Sequence, residues 1–361
     1  MTSRELFDSA IARKNTGPNP FWLGHPADKS TALYAKALGI FDDSTSNVGE
    51  TALYTSINGQ IDIDLAIATG SDMVWFCPEI DLSSYEHPDG KPLWDVLGGA
   101  KRESLTQPGV FAEAESVSEI EAFDWPDPDL VNLDKSYHFA GKAYDKGLAV
   151  FGGMWCPFFH VMCDFFGMDN YFIKMHTDPD VVLAATEHIV DFYLAANERC
   201  LDKMSGLLSA AFFGNDLGTQ RGLMISPDCL NKFVFPYMKR IISQIKGYGL
   251  PVALHCCGAI SEIIPDFIDM GIDVLHPIQA IAAGMGPSAL QGNFGNDIVF
   301  MGGVDTQQLL PFGTVEDVKR KVGELREIFG PNFIVSPSHE ALLPNVSIEK
   351  VMAMSRTSKQ K

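Results

Sequence analysis

The chain has 361 residues, 46% of them hydrophobic and 20% charged, the balance of a globular protein with a large core. Its 46 acidic and 27 basic residues give a net charge of −19, which repels phosphate and argues against nucleic acid or an anionic membrane as a partner. No apolar run reads as a leader or a membrane span, so the expected location is cytoplasmic; seven cysteines, an odd number, suggest buried thiols or metal ligands rather than a disulfide framework.

The N-terminal third is irregular. An aromatic and glycine-bearing segment, PFWLGHP over 20–26, precedes a helical stretch at 30–38. Residues 72–76 (DMVWF) read as a buried strand and 88–99 as a polar, turn-rich stretch. Residues 112–123 read as a helix, broken by the run WPDPD at 125–129. From about residue 148 the pattern becomes regular. Strand-length apolar runs fall at 148–154, 207–213, 251–254, 273–275, 298–301 and 333–335. Helical segments separate them at 180–203, 227–248, 260–270, 287–294, 314–329 and 347–354. This rhythm predicts a parallel sheet covered by helices: one (β/α)8 TIM barrel, a single domain over residues 1–361 with an irregular N-terminal excursion. The apolar runs account for about seven strands, and the eighth is expected in the N-terminal half. A doubly wound sheet is the structural alternative, but no glycine-rich dinucleotide fingerprint accompanies it.

In a barrel of this kind the chemistry sits at the carboxyl ends of the strands, so the residues just after each apolar run are the ones to read. Glu79 follows the first run, either as a general base or weak metal ligand or as a loop carboxylate in water, and Asp72 begins it. The segment GGMWCPFFH at 152–160 is either a flat aromatic binding wall, with Trp155, Phe159 and His160, or ordinary core. Asp216, in GNDLGTQ at 214–220, either contacts substrate or a metal ligand or caps a turn. The sharpest signal is LHCCG at 254–258. Side chains alternate along a strand, so His255 and Cys257 face the barrel interior together while Cys256 faces away. An imidazole and a thiolate side by side suit zinc; the other reading is a hydrogen-bonded histidine beside a buried thiol. His339, after the last run, is a candidate third ligand. Asp305 closes another strand as polar lining or as a helix cap. Neither a G-x-S-x-G elbow nor a P-loop occurs.

Taken in order, GNDLGTQRGLMISPDCLNKFVFPY (214–237), LHCCGAISEIIPDFIDMGIDVLHPIQ (254–279), FMGGVDTQQLLPFGTVEDVKRKV (300–322) and SPSHEALLPNVSIEKVMAM (336–354) resemble the uroporphyrinogen decarboxylase superfamily. The resemblance implies a (β/α)8 barrel and two branches of activity. True decarboxylases of the family meet a substrate bearing eight carboxylates with an Arg-Gln-Ala-Gly-Arg segment. The matching stretch here is Gly24-His25-Pro26-Ala27-Asp28, without arginine, although Asp72 and His339 match the family's catalytic Asp and C-terminal His. The corrinoid-linked methyltransferase branch holds zinc on His-x-Cys and a later Cys. His255 and Cys257 match the first two ligands, and the third position falls near His339.

The resemblance therefore implies a zinc-dependent methyltransferase moving a methyl group between a small molecule and a corrinoid (cobalamin) carried by a partner protein. This chain has no D-x-H-x-x-G motif to bind a corrinoid itself. The expected metal ligands are His255, Cys257 and His339; the expected catalytic groups are Asp72, Glu79, Asp216 and His339. The expected substrate-facing set is Trp22, His25, Trp155, Phe159, His160, Gln279 and Asp305, and an aromatic pocket suggested by Phe21, Trp22, Trp75, Trp155, Phe158 and Phe159 favours a methoxylated aromatic as methyl donor in an O-demethylation. The alternatives are a decarboxylase using Asp72 and His339, and a non-catalytic binding protein of a corrinoid system. The sequence leaves the oligomeric state and the direction of transfer open.

Overall fold

Short β-branched and aromatic runs, each followed by an amphipathic stretch of helical length, have one economical packing: strands side by side and parallel, helices outside. The computed structural model describes residues 1–40, 59–81, 104 and 106–360 and has this form. Seven parallel strands pair in chain order: β1 Met73–Trp75, β2 Ala149–Gly152, β3 Ala210–Gly214, β4 Val252–His255, β5 Val274–Ile278, β6 Val299–Val304 and β7 Ile334–Pro337. The turn-rich stretch 88–99 lies outside the described residues.

The eighth position is filled by the N-terminal segment 20–23. The Trp22 amide donates to the Val335 carbonyl (2.9 Å) and the Val335 amide to the Pro20 carbonyl (2.9 Å), while the Asp72 amide donates to the Phe21 carbonyl (2.7 Å). Phe21 thus bridges β7 and the start of β1 and joins the two edges of the sheet. Asp72 adds a side-chain bond, its Oδ2 accepting from the Phe21 amide at 2.7 Å. The same oxygen is paired with Lys359 from the last helix, Ile348–Ser358 and its C-terminal cap.

Strand alternation divides the core in two. Met73, Trp75, Phe151, Phe212, Ala253, Val274 and Met301 point inward and form one buried cluster with Trp22. Their neighbours Val74, Val150, Phe213, Leu254, Cys256 and Leu275 point outward into the larger cluster beneath the helices. The helix Ser3–Ile11, capped by Thr2, sends Phe7 and Ile11 into the inner cluster, with Phe7 edge-on to Phe151 at 5.2 Å. That helix packs against the N-terminal end of the barrel interior.

Several helices differ from expectation for local reasons. The stretch 112–123 is helical only over Val117–Glu121, behind the cap residue Ser116. The stretch 227–248 breaks at Val234 into Pro227–Phe233 and Phe235–Gly247. Pro236 has no amide hydrogen to continue a helix, and it sits in the first turn of the second one, where none is needed.

Candidate metal centre

The site is built from the inward series carried past the end of β4. Ala253 faces the interior, so His255 and Cys257 do as well, and Cys256 points into the outer core. His255 is 4% and Cys257 8% exposed. Cys257 Sγ lies 3.2 Å from His255 Nε2. Asp216, on the loop after β3, completes the group: its Oδ1 is 3.3 Å from His255 Nε2 and accepts from the Cys257 amide at 2.8 Å. Ligand atoms of Asp216, His255 and Cys257 all lie within 4.8 Å of one another. Nitrogen, sulfur and carboxylate oxygen converging at this range form a donor set that zinc accepts.

The ionisable groups of the cluster shift one another strongly. Burial pushes the Cys257 thiol well above its ordinary range, and the carboxylates of Asp216 and Glu340 add to the effect. Burial alone would lower His255, but Glu340 and Asp216 outweigh it and raise the imidazole. Asp216 likewise has burial working against its ionised form, yet the His255 hydrogen bond and charge hold it well below the carboxylate range. Without metal the Cys257 thiol therefore keeps its proton at neutral pH, and His255 holds its second proton more firmly than a free imidazole does. A divalent cation held by Asp216, His255 and Cys257 would displace the thiol proton and satisfy thiolate and carboxylate together.

A second group shares His255 from its other side. Register pairs His255 with His276 on β5, and their Nδ1 atoms are 3.0 Å apart. Glu340 Oε2 lies 3.4 Å from His255 Nδ1. His255, His276 and Glu340 also bring ligand atoms within 4.8 Å. His276 is fully buried, and burial, reinforced by the charge of His255, keeps it neutral. Neither His276 nor Glu340 was among the expected site residues. The alternation of β5 from Val274 could have found His276, and Glu340 follows His339 directly.

Aromatic rings wall the cluster. The Trp155 ring is 5.4 Å from that of His255 and 4.9 Å from that of Trp75, and Phe212 closes the floor at 5.2 Å from Trp155. Trp22 packs edge-on to His276 at 5.1 Å, and His25 edge-on to Trp75 at 5.6 Å. Burial pulls His25 down to about 4, so it is neutral at physiological pH. His160 stands at the mouth, 40% exposed, with Nε2 3.8 Å from Asp216 Oδ2.

Other expected residues fall elsewhere. Asp72 precedes β1 at the opposite end of the barrel, where it binds the Phe21 amide and Lys359; it belongs to barrel closure and not to the mouth. Glu79 is half exposed, paired with Lys135 at 3.0 Å, on a short antiparallel pairing of Glu79–Ile80 with Val131–Asn132. His339 approaches His255, with ring centroids 6.0 Å apart, but it belongs to neither ligand group, and its Nδ1 accepts from the Ala341 amide at 3.1 Å. Phe159 is buried outside the barrel interior against Tyr171 and Phe172. Asp305 caps the turn after β6, accepting from the amides of Gln307, Gln308 and Leu309. Gln279 acts on the backbone: its Oε1 receives the Gly258 amide at 2.9 Å and pins the loop that carries Cys257. Gly258 itself has φ +96° and lies against the backbone of Gly218, a place where a side chain has no room.

These features define an enzyme-type (β/α)8 barrel with its candidate centre at the carboxyl ends of the strands. The uroporphyrinogen decarboxylase (URO-D) family matches residues 101–360, and the chain belongs to that family. Over 250 residues it is 21% identical to the methylcobamide:CoM methyltransferase MtbA of Methanosarcina mazei, covering 68% of this chain and 70% of that protein. Over 187 residues it is 27% identical to the methylated-thiol–coenzyme M methyltransferase of the same organism, covering 51% of this chain and 46% of that protein. A methyltransferase from Methanosarcina mazei of solved structure has the same fold, with a TM-score of 0.69 at 15% identity over 99% of this chain and 98% of that one. Among the described residues no helix is long and apolar enough to cross a membrane.

Proposed function

We propose that this chain is a metal-dependent methyltransferase that moves a methyl group between a small heteroatom-bearing molecule and a corrinoid carried by a partner protein. The observation that carries the reading is the grouping of His255 Nε2, Cys257 Sγ and an Asp216 oxygen within 4.8 Å at the open end of the barrel. The relatives point the same way, since both are named as methyltransferases and one acts on a methylcobamide. Zinc on this donor set supplies Lewis acidity, which polarises the heteroatom of a methyl donor or lowers the pKa of an acceptor thiol.

The chain's own residues do the rest. Asp216 is anchored by the Cys257 amide, so its carboxylate cannot swing away when the cluster gains or loses charge. His160 Nε2, at the mouth beside Asp216 Oδ2, is placed to take the proton of an incoming thiol or to return one to a departing alcohol. Trp155, partly exposed and backed by the buried Trp75 and Phe212, offers one flat apolar face beside the cluster, which favours a methoxylated aromatic among donors. A decarboxylase acting through Asp72 and His339 needs both groups at one end, and Asp72 stands at the other.

The test is turnover. Purified zinc-loaded protein is mixed with cob(I)alamin and a panel of methoxylated aromatics and methyl thioethers, and separately with methylcobalamin and thiols, while the cobalamin absorbance is followed. Methyl transfer that is lost in Cys257→Ala supports the reading. No transfer in either direction by zinc-loaded protein, with free cobalamins or with a corrinoid protein supplied, refutes it.

A further inference from the structure

An imidazole can bind a metal through Nε2 only if its remaining proton sits on Nδ1, and what decides this is the partner of Nδ1. In this chain the Nδ1 of His255 faces another Nδ1, that of His276, at 3.0 Å. Such a pair has two arrangements. In one, His255 Nδ1–H donates to His276, and His255 Nε2 presents a lone pair to Cys257 and Asp216. In the other, His276 donates, and the proton of His255 lies on Nε2 between Cys257 Sγ at 3.2 Å and Asp216 Oδ1 at 3.3 Å, where it blocks a metal.

Two neutral imidazoles alone give little preference. The asymmetry comes from Glu340. Its Oε2 lies 3.4 Å from His255 Nδ1 and makes no hydrogen bond despite being buried, as does His276 Nε2 on the far side of the pair. That carboxylate, which also stands 3.4 Å from His339 Nδ1, stabilises a proton on His255 Nδ1, and once a metal engages Asp216, 3.3 Å from Nε2, no carboxylate competes to hold the proton on Nε2. His276 must then carry its own proton on Nε2, among the rings of Trp22 and Phe212 and without a polar partner. The backbone holds this geometry: His255 and His276 are register partners on adjacent strands, and the Cys256 amide donates to the His276 carbonyl at 2.7 Å.

We infer that Glu340 and His276 are positioning residues which hold His255 in its Nδ1–H tautomer and so present Nε2 to a metal shared with Cys257 and Asp216. This rests on the reading of His255, Cys257 and Asp216 as the metal-binding set. The Nδ1 side then works through hydrogen bonding and charge and holds no ion of its own, although His255, His276 and Glu340 lie close enough to ligate one.

The inference is tested on Glu340→Gln, which keeps shape and removes charge, Glu340→Asp, which restores charge, and His276→Phe, which removes the acceptor. Zinc affinity is measured by competition with a chromogenic chelator, metal content by elemental analysis, and folding by thermal melting. Partners of this kind are worth about 10- to 100-fold in metal affinity, so Glu340→Gln and His276→Phe are expected to weaken zinc binding by about that factor, and Glu340→Asp to recover part of it. The bound stoichiometry stays at one. In the zinc-loaded wild type the Nδ1 proton of His255 should give a low-field proton resonance, which Glu340→Gln should move upfield.

Unchanged zinc affinity in a folded Glu340→Gln overturns the inference. So does a wild type that binds two ions, one of which is lost in His276→Phe. A wild type that binds no zinc removes the proposed metal centre and overturns this inference with it.

Discussion

The Trp155 indole lies directly over the backbone of Gly214: a Cβ at that position would stand 2.5 Å from Trp155 Cζ2 and 3.1 Å from the Cβ of His255. The glycine that ends β3 is thus the gap through which the indole reaches the His255 ring. Gly214→Ala should displace Trp155, reduce methyl transfer more than it reduces melting temperature, and alter tryptophan fluorescence. A variant with wild-type fluorescence and turnover would show that the indole has other room.

Elemental analysis should find about one zinc per chain, lost in His255→Ala and Cys257→Ala, whose donor atoms are 3.2 Å apart. Asp216→Asn should retain metal more weakly, and His339→Ala should keep it, because His339 lies outside both ligand groups. Loss of zinc in His339→Ala with full retention in Asp216→Asn would exchange their roles.

Zinc affinity should rise with pH. Cys257 is raised well above its ordinary value without metal, so it holds a proton that zinc must expel at neutral pH, and His255, raised as well, adds to the competition as the pH falls. Every proton released makes the affinity about tenfold tighter per pH unit, until the pH passes the value of the group concerned. Calorimetric titrations in buffers of different ionisation enthalpy should count one to two protons released per zinc. A pH-independent affinity between 6 and 8 would contradict this.

Asp72→Ala should cost stability and spare the metal. It leaves the buried Phe21 amide without its side-chain acceptor and Lys359 without its partner. An unsatisfied buried donor costs about 1–3 kcal/mol, which denaturant unfolding would detect, while zinc content stays at the wild-type level. Preserved stability with abolished turnover would return Asp72 to the chemistry.

Uroporphyrinogen should not be converted at a useful rate. The segment Gly24–Asp28 carries no arginine, and His25, Pro26, Ala27 and Asp28 are buried in the wall of the fold. Hydrogen bonds to a charged group contribute about 1.5–3 kcal/mol each, so the absence of several should abolish tight binding of a substrate with many carboxylates. Rapid decarboxylation by purified protein would refute this expectation.

What the sequence made legible followed from periodicity. Alternation along 251–257 placed His255 and Cys257 inside and Cys256 outside, and both placements hold because the strand is regular to its end. His276 escaped because its link to His255 is a matter of register between strands 21 residues apart, not of any local spacing. Asp72 entered the catalytic set through the family resemblance, whereas its place at the start of a strand puts it at the amino end of the barrel, beside Phe21 and Lys359. The eighth strand was hidden because 20–23 is a short link between proline and glycine, held by the edges it bridges and not by an apolar run of its own.

The bridging of β7 and β1 by Phe21 also bears on how the chain is made. Asn19 donates through Nδ2 to the carbonyl of Phe333, 314 residues further on, so the seam that shuts the barrel joins two segments synthesised far apart in time. Until then the growing sheet has two unpaired edges, and exposed edges invite strands of other molecules. Aggregation in this protein should therefore depend on translation speed and on chaperone supply late in synthesis, and a truncation before residue 334 should be caught as an open sheet whatever the quality of the core already formed.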